Sequence, residues 1–270
     1  MSHLSYSAEL SVAIEAARTA GVVMRTHRRR PKKINESNQH DIKLELDVRC
    51  QKLIMRILAK AFPNIPVLGE EGIDAASEGA AARWVVDPID GTVNFAYGIP
   101  HAAVSIALQV HDTSGFSSAV GVVYDPFMDE LWSAIRGKPA RLNDRIIRVS
   151  TRSRVDEAIV SLGFAKSQES LEAVQADFAD LTHRVRKLRI MGSAALALTY
   201  VADGRFDAYV EAGVRLWDIA AGGLIVECAG GEFWSRQLEG EHRYGLVASN
   251  GLLRKKLARR NSRKNVTGKP

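Results

Sequence analysis

The chain has 270 residues, of which 46% are apolar and 25% charged, a composition typical of soluble globular proteins with one large domain or two small ones. No apolar run is long enough to cross a membrane and the N-terminus does not resemble a signal peptide, so we expect a cytoplasmic protein. The net charge of +6 arises from residues 25–33 and 254–270, which carry six and eight basic side chains and no acid.

These two basic segments leave a net acidic body. They could attract nucleic acid or an acidic partner through long-range electrostatics. No aromatic interleaving or nucleic-acid motif accompanies them, so the sequence favours a charged loop and a solvated tail over nucleic-acid binding, although the basic segments leave the second interpretation open.

Two amphipathic helices are predicted in the first quarter of the chain. Apolar and small residues recur with helical spacing from Ser7 to about Arg25, and again from Leu46 to Ala61. Asp47 falls near the start of the second helix, where its charge suits the helix dipole. That favourable placement is also a purely structural reason for an aspartate at this position.

Two short apolar strands then run into acidic residues. The first, at residues 66–69, is followed by Glu70 and Glu71, a pattern that taken alone is more often a solvated loop. The second, at residues 84–86, is followed by the string Asp-Pro-Ile-Asp-Gly-Thr at 87–92. Turn chemistry alone could account for such a string, since Asp, Pro and Gly all favour turns.

The spacing within 87–92 also suits a metal site beside a phosphate site. Pro88 fixes its own φ, and Gly91 can adopt backbone conformations that a Cβ would forbid. If a helix begins near Gly91, the amides of Gly91 and Thr92 are unsatisfied donors at its positive end. Two carboxylates beside an anion site indicate a divalent cation between them, held by oxygen ligands.

The rest of the chain alternates between strands and helices. Strand-like runs at 103–110, 119–124 and 130–135 are joined by short connections, which predicts antiparallel pairing. The later predicted elements are strands near 158–162, 187–190 and 206–210 and helices at about 169–184, 193–202 and 219–229. Asp218 comes just before the last of these helices, where it could simply be a cap.

Four strings together resemble the inositol monophosphatase family, which comprises magnesium-dependent, lithium-sensitive phosphatases of small phosphate esters. They are Gly-Glu-Glu at 69–71, Asp-Pro-Ile-Asp-Gly-Thr-Val-Asn-Phe at 87–95, Gly-Ser-Ala-Ala at 192–195 and Trp-Asp-Ile-Ala-Ala-Gly at 217–222. The resemblance implies an α/β (α+β) fold with αβαβα layers, a largely antiparallel N-terminal sheet and an alternating C-terminal half. It implies one catalytic domain over 1–253, with halves of about 1–150 and 151–253, and a basic tail at 254–270 that we expect to be disordered.

The same resemblance implies a metal-ligand set. One Mg²⁺ would be held by Glu70, Asp87 and the carbonyl of Ile89, and a second by Asp87, Asp90 and Asp218. A third, looser ion would be held by Glu70 and water. A metal pair about 3.5–4 Å apart can clamp both the attacking and the leaving oxygen.

Catalytic and substrate roles follow from the same matches. Glu70 and Thr92, the latter hydrogen-bonded to Asp47, would activate a water that attacks phosphorus in line. The residues expected to bind the substrate are Asp90, Gly91, Thr92, Ser193, Ala194, Glu211 and Asp218. The implied reaction is hydrolysis of a polyol phosphate, with inositol 1- (or 4-)monophosphate as the first choice, by a homodimer.

Other substrates and another class of function stay open. Fructose-1,6-bisphosphatases, histidinol-phosphate phosphatases and nucleotide 3′-phosphatases have similar sites, and a regulatory protein could keep the fold and bind RNA or a protein through the basic segments. The family usually has Asp-x-Val-Thr-x-x-Asp where this chain has Asp41, Lys43, Leu44 and Asp47. The third metal therefore depends on a loop that departs from the pattern.

Overall fold

The computed structural model describes residues 5–29, 34–37, 42–73, 79–113, 115–165 and 167–257. Asp41, the side chain of Lys43 and residues 258–270 lie outside the described part of the chain. The helices are α1 (Ser7–His27), α2 (Glu45–Ala61), α3 (Thr92–Ala96), α4 (Gln168–Leu181), α5 (Ala194–Ala202), α6 (Leu216–Cys228) and α7 (Arg254–Leu257).

The strands form a small hairpin and two larger sheets. The hairpin consists of β1 (Ile34–Ser37) and β2 (Ile42–Leu44). The first large sheet contains β3 (Val67–Gly69), β4 (Gly72–Ile73), β5 (Ala82–Asp90), β6 (Ala103–Asp112), β7 (Gly115–Asp125), β8 (Glu130–Ile135), β9 (Arg141–Leu142) and β10 (Arg145–Ile146). The second contains β11 (Ile159–Phe164), β12 (Lys187–Arg189), β13 (Ala208–Arg215), β14 (Glu232–Gln237) and β15 (Arg243–Ser249).

The first sheet is antiparallel except where β3 runs parallel to β5, and its order is β10-β9-β8-β7-β6-β5-β3-β4. Helices α1 and α2 cover one face. Four alanines of α1, all fully buried, let that helix lie close to the sheet: Ala13, Ala16, Ala17 and Ala20. Gly21 lies where a Cβ would be 2.5 Å from the ring of Tyr124, so the same helix could not carry a larger residue there.

The second sheet has the order β12-β11-β13-β15-β14, with β11 parallel to both its neighbours and the remaining pairs antiparallel. Helices α5 and α6 fill the space between the two sheets as one apolar core. The far face is covered by α4 and α7, where Leu181 and Leu257 pack against Val160. The layers are therefore α, β, α, β and α, which confirms the predicted fold class.

Most predicted elements are present with shifts of a few residues at their ends. The antiparallel pairing of β6, β7 and β8 is also confirmed. The sequence prediction missed β14 and β15, which pair with each other and join the second sheet through β13. Residues 254–257 form a helix with Leu257 buried, which corrects the prediction that the tail begins at residue 254. None of the helices in the described ranges is long and apolar enough to cross a bilayer.

Candidate active site

Three carboxylates from two separate elements, two of them buried and that of Asp218 half-buried, meet between the sheets. Asp87 and Asp90 lie at the end of β5, and Asp218 lies in the first turn of α6. Carboxylate oxygens of these three residues all lie within 4.8 Å of one another. The structure thus brings together three of the four acidic side chains predicted as metal ligands.

A local irregularity in β5 makes this meeting possible. Residues three apart in a regular strand point to opposite faces. The pairing of β5 with β6 shifts register between Asp87 and Asp90, and the amide of Ile89 donates to Asp87 Oδ1 at 2.9 Å. This bulge allows both side chains to reach the same site.

Asp218 is fixed by the start of its own helix. The amide of Arg215 donates to Asp218 Oδ2 at 2.7 Å, which satisfies one donor just before α6. Small residues place the helix close to its neighbours, because a Cβ on Gly222 would lie 2.7 Å from the Leu198 side chain. The alternative role of Asp218 as a cap is therefore compatible with a role as a ligand.

Burial and mutual repulsion make the cluster hard to ionise. Burial raises the pKa of Asp87 well above its usual range, and the nearby charges of Glu70, Asp90 and Asp218 raise it further. Burial likewise raises the pKa of Asp218, together with the charge of Asp90. A cation shared by their oxygens favours the charged form of all three carboxylates. An all-oxygen, acidic donor set fits a hard divalent ion, so this cluster could hold a metal.

Asp90 also joins the two halves of the molecule. Its Oδ2 accepts hydrogen bonds from the Ser193 hydroxyl and, at 2.9 Å, from the amide of Ala195, and its Oδ1 accepts from the amide of Ala194 at 3.2 Å. Burial raises the pKa of Asp90 to about 6, and these hydrogen bonds oppose the rise. Ser193 and Ala194 were predicted to bind substrate, but the structure directs their hydrogen-bond donors to Asp90.

The turn after β5 has the predicted glycine conformation. Gly91 has φ +90°, in the left-handed region, and precedes α3. A Cβ at this position would lie 3.0 Å from the carbonyl oxygen of His101. The first amides of a helix have no partner within it, so Gly91 and Thr92 can serve as donors.

The hydrogen bond predicted between Thr92 and Asp47 is corrected by the structure. The Thr92 hydroxyl donates to the carbonyl oxygen of Ile89 at 2.9 Å, because the helix start brings the two groups together. Asp47 is buried in α2, and its Oδ2 accepts from the amide of Leu44 at 2.8 Å. Asp47 still acts on the site, since its charge contributes to the raised pKa of Asp87.

Glu70 lies beside the acidic cluster but outside the set of oxygens within 4.8 Å. It follows β3, its amide donates to the carbonyl of Val86 at 3.3 Å, and its charge is the strongest electrostatic influence on the pKa of Asp87. Its predicted role as a ligand stays a prediction.

A cavity of ≈ 370 Å³ opens beside the cluster. It has the size of a small-molecule site. The residues that line it include Asp90, Asn94, Ser193, Ala194, Glu211 and Asp218. Five of the predicted substrate residues therefore line one cavity. The other two, Gly91 and Thr92, lie in sequence between Asp90 and Val93, which also line it.

Two residues of this cavity were missed by the sequence analysis. The Tyr209 hydroxyl donates to Glu211 Oε2, and Gly163 leaves the space that the same carboxylate occupies. Burial raises the pKa of Glu211 to about 7. The signal for Tyr209 was its position two residues before Glu211, which places both side chains on one face of β13.

Comparison with known proteins identifies the family of the chain. Residues 6–265 match the model of the inositol monophosphatase family. The chain is 40% identical over 225 residues to the Nus factor SuhB of Pasteurella multocida, covering 82% of this chain and 83% of that protein. It is also 40% identical over 229 residues to inositol monophosphatase 2 of Solanum lycopersicum, covering 82% and 85%.

A solved structure gives the same result for the fold. The extragenic suppressor protein suhB of Bartonella henselae superimposes with a TM-score of 0.85 at 34% identity, covering 93% of this chain and 97% of that one. The family match and the relatives named inositol monophosphatase identify a phosphatase. The chain belongs to the inositol monophosphatase family.

Proposed function

We propose that the protein hydrolyses the phosphate monoester of a small polyol, with inositol 1- or 4-monophosphate as the first candidate and Mg²⁺ as the cation. The observation that supports this most strongly is the meeting of Asp87, Asp90 and Asp218 beside a cavity whose lining includes Asp90, Asp218 and the carboxylate of Glu211. We further propose a single catalytic domain that extends at least to the buried Leu257, active as a homodimer and inhibited by lithium.

Asp87, Asp90 and Asp218 would hold the cations, with Glu70 and the carbonyl of Ile89 completing the ligand set. When bound, the metal ions supply Lewis-acid charge that polarises the phosphoryl group and eases departure of the leaving oxygen. The acidic cluster supports this assignment because a shared cation favours the charged form of its carboxylates.

The chain's own groups would orient the reactants. Glu70 accepts a proton of the attacking water at its carboxylate, and the hydroxyl of Thr92, which donates to the carbonyl of Ile89, accepts a hydrogen bond that helps to place that water. The amides of Gly91 and Thr92 donate to phosphate oxygens, where negative charge grows as the bond to phosphorus forms.

Specificity would come from the hydroxyl groups of the substrate. Glu211, held by Tyr209, would accept a hydrogen bond from a sugar or inositol hydroxyl in the cavity. Asp90 and Asp218 accept from hydroxyls nearer the phosphate, and the backbone of Ser193 and Ala194 forms the wall beside them.

A substrate panel tests this proposal. Phosphate release is measured from inositol 1-phosphate, fructose 1,6-bisphosphate, histidinol phosphate and 3′-phosphoadenosine 5′-phosphate, each with and without Mg²⁺ and with added lithium. We expect Mg²⁺-dependent turnover, fastest with inositol 1-phosphate. Faster turnover of the bisphosphonucleoside, or activity that does not depend on a divalent ion, contradicts the proposal.

A second function is suggested by the relatives named Nus factor SuhB and by the basic segments of this chain. It is binding of RNA or a protein partner, separate from hydrolysis. Deleting residues 258–270 tests it, because this cut keeps the helix that ends at the buried Leu257. If the tail binds RNA, the truncated protein loses salt-dependent RNA binding and keeps its phosphatase activity. If the truncated protein binds RNA as well as the full chain does, or if the full chain binds no RNA, the tail is not an RNA-binding segment.

A further inference from the structure

Asn94 connects the two halves of the protein through its side-chain amide. It lies on α3, two residues after Thr92. Its Nδ2 donates to the carbonyl oxygens of Met191 at 2.8 Å, His101 at 2.9 Å and Gly192 at 3.3 Å. Two of these three acceptors belong to the C-terminal half, in the turn that leads into α5.

That turn supplies the donors that hold Asp90. Gly192 is followed directly by Ser193, whose hydroxyl bonds Asp90, and by the amides of Ala194 and Ala195, which do the same. Gly192 has φ +75°, and a Cβ there would lie 3.1 Å from Asn94 Nδ2. Two residues of the N-terminal half thus bind this turn. Asn94 donates to its carbonyl oxygens, and Asp90 accepts hydrogen bonds from its hydroxyl and amide groups.

We propose that Asn94 is a positioning residue for the cation site, an inference that rests on the proposed role of Asp90 as a metal ligand. By fixing the carbonyls of Met191 and Gly192, it sets where α5 begins and so keeps the Ser193, Ala194 and Ala195 donors on Asp90. Groups that orient a ligand from behind in this way typically change metal affinity by about 10- to 100-fold when they are removed.

The substitution Asn94→Asp tests this position most directly. It keeps the shape of the side chain but removes both N–H donors and sets a carboxylate against the carbonyl oxygens. Asn94→Ser is the milder variant, with one short hydroxyl donor and no charge. Asn250→Asp is the matched control, because Asn250 Nδ2 likewise donates to a backbone carbonyl, that of Arg152 at 2.8 Å. Its Nδ2 donates in addition to the hydroxyl of Ser150, and neither acceptor holds a residue of the acidic cluster.

Two measurements do not require turnover. Hydrogen exchange should show the amides of Ala194 and Ala195 losing protection in both Asn94 variants and keeping it in the control. Calorimetric titration with Mg²⁺ should give a Kd raised by about 10-fold or more in Asn94→Asp and by less than about twofold in Asn250→Asp.

Equal exchange protection in wild type and both Asn94 variants overturns the inference, as does a Mg²⁺ affinity changed no more than in the control. A raised KM with unchanged Mg²⁺ affinity also overturns it, because that result assigns Asn94 to substrate binding. If the wild type neither binds Mg²⁺ nor hydrolyses any substrate of the panel, the proposed function is wrong independently of the role of Asn94. The exchange result then still decides whether Asn94 positions the donors of α5.

Discussion

Replacing Asp90 by asparagine should reduce turnover by orders of magnitude with little loss of folding stability. The carboxylate is buried, and its pKa is raised from 3.8 to about 6. Above that pH, without a cation, a shift of this size corresponds to about 3 kcal/mol against the folded state. The neutral amide removes this cost. It leaves at least one of the donors from Ser193, Ala194 and Ala195 facing an NH₂ group, which costs about 1–3 kcal/mol.

These two effects nearly cancel, so we expect metal-free Asp90→Asn to melt within about 5 °C of the wild type. With a cation the two proteins should differ. At a concentration of about 100 times the Kd, Mg²⁺ should stabilise the wild type by about 2.7 kcal/mol, or roughly 5–10 °C in Tm, and the variant much less. Turnover should fall by about 100-fold or more, since a ligand of the catalytic metal is lost.

Thermal unfolding with and without Mg²⁺, together with phosphate release, measures all three quantities. A variant that melts far below the wild type without metal would show that the charge of Asp90 stabilises the fold. Near-normal turnover, or an undiminished Mg²⁺ effect on Tm, would refute the assignment of Asp90 to the cation.

Three other predictions concern the same cavity. Burial raises the pKa of Glu211 from 4.5 to about 7, so the folded protein retains a proton that the unfolded chain has released. The free energy of unfolding should then fall as the pH rises from 4.5 to about 7. The fall should be at most about 3 kcal/mol, since the residue keeps some exposure. Urea titrations of Glu211→Gln should not show this fall. Gly163→Ala would overlap the Glu211 carboxylate, so KM should rise several-fold, whereas Gly79→Ala, with open space around it, should leave KM unchanged. Removing divalent ions with a chelator should stop phosphate release, and adding Mg²⁺ back should restore it; activity that survives chelation contradicts the proposed cofactor.

The sequence was informative where a local pattern decides the structure. Helical spacing of small and apolar residues predicted α1 and α2 nearly to their ends, since one face of each helix is buried against the first sheet. The acids of the candidate site were named for a different reason, because the short strings around them resemble motifs of the inositol monophosphatase family. Taken alone, the strings at Glu70 and Asp218 also fitted a solvated loop and a helix cap.

The features that the sequence did not reveal depend on residues far apart in the chain. Nothing near Asp90 indicates that its oxygens will be occupied by donors from Ser193, Ala194 and Ala195, because those residues reach it only when α5 packs between the sheets. The bulge that brings Asp87 and Asp90 to one side is likewise a property of the pairing between β5 and β6. A hydroxyl such as that of Thr92 has a single proton, and which neighbour receives it is settled by the turn.

The position of the cluster has a consequence for folding as well as catalysis. Asp87 and Asp90 end β5 of the first sheet, whereas Asp218 begins the helix that lies between the sheets. Repulsion among the three charges opposes the docking of α6 on β5, and a shared cation reverses the sign of that interaction. The loaded protein should therefore hold its two halves together more tightly than the metal-free protein does. Hydrogen exchange in the first turn of α6 should slow on addition of Mg²⁺ in the wild type and change little in Asp90→Asn, and an equal response in both proteins would place the cation elsewhere.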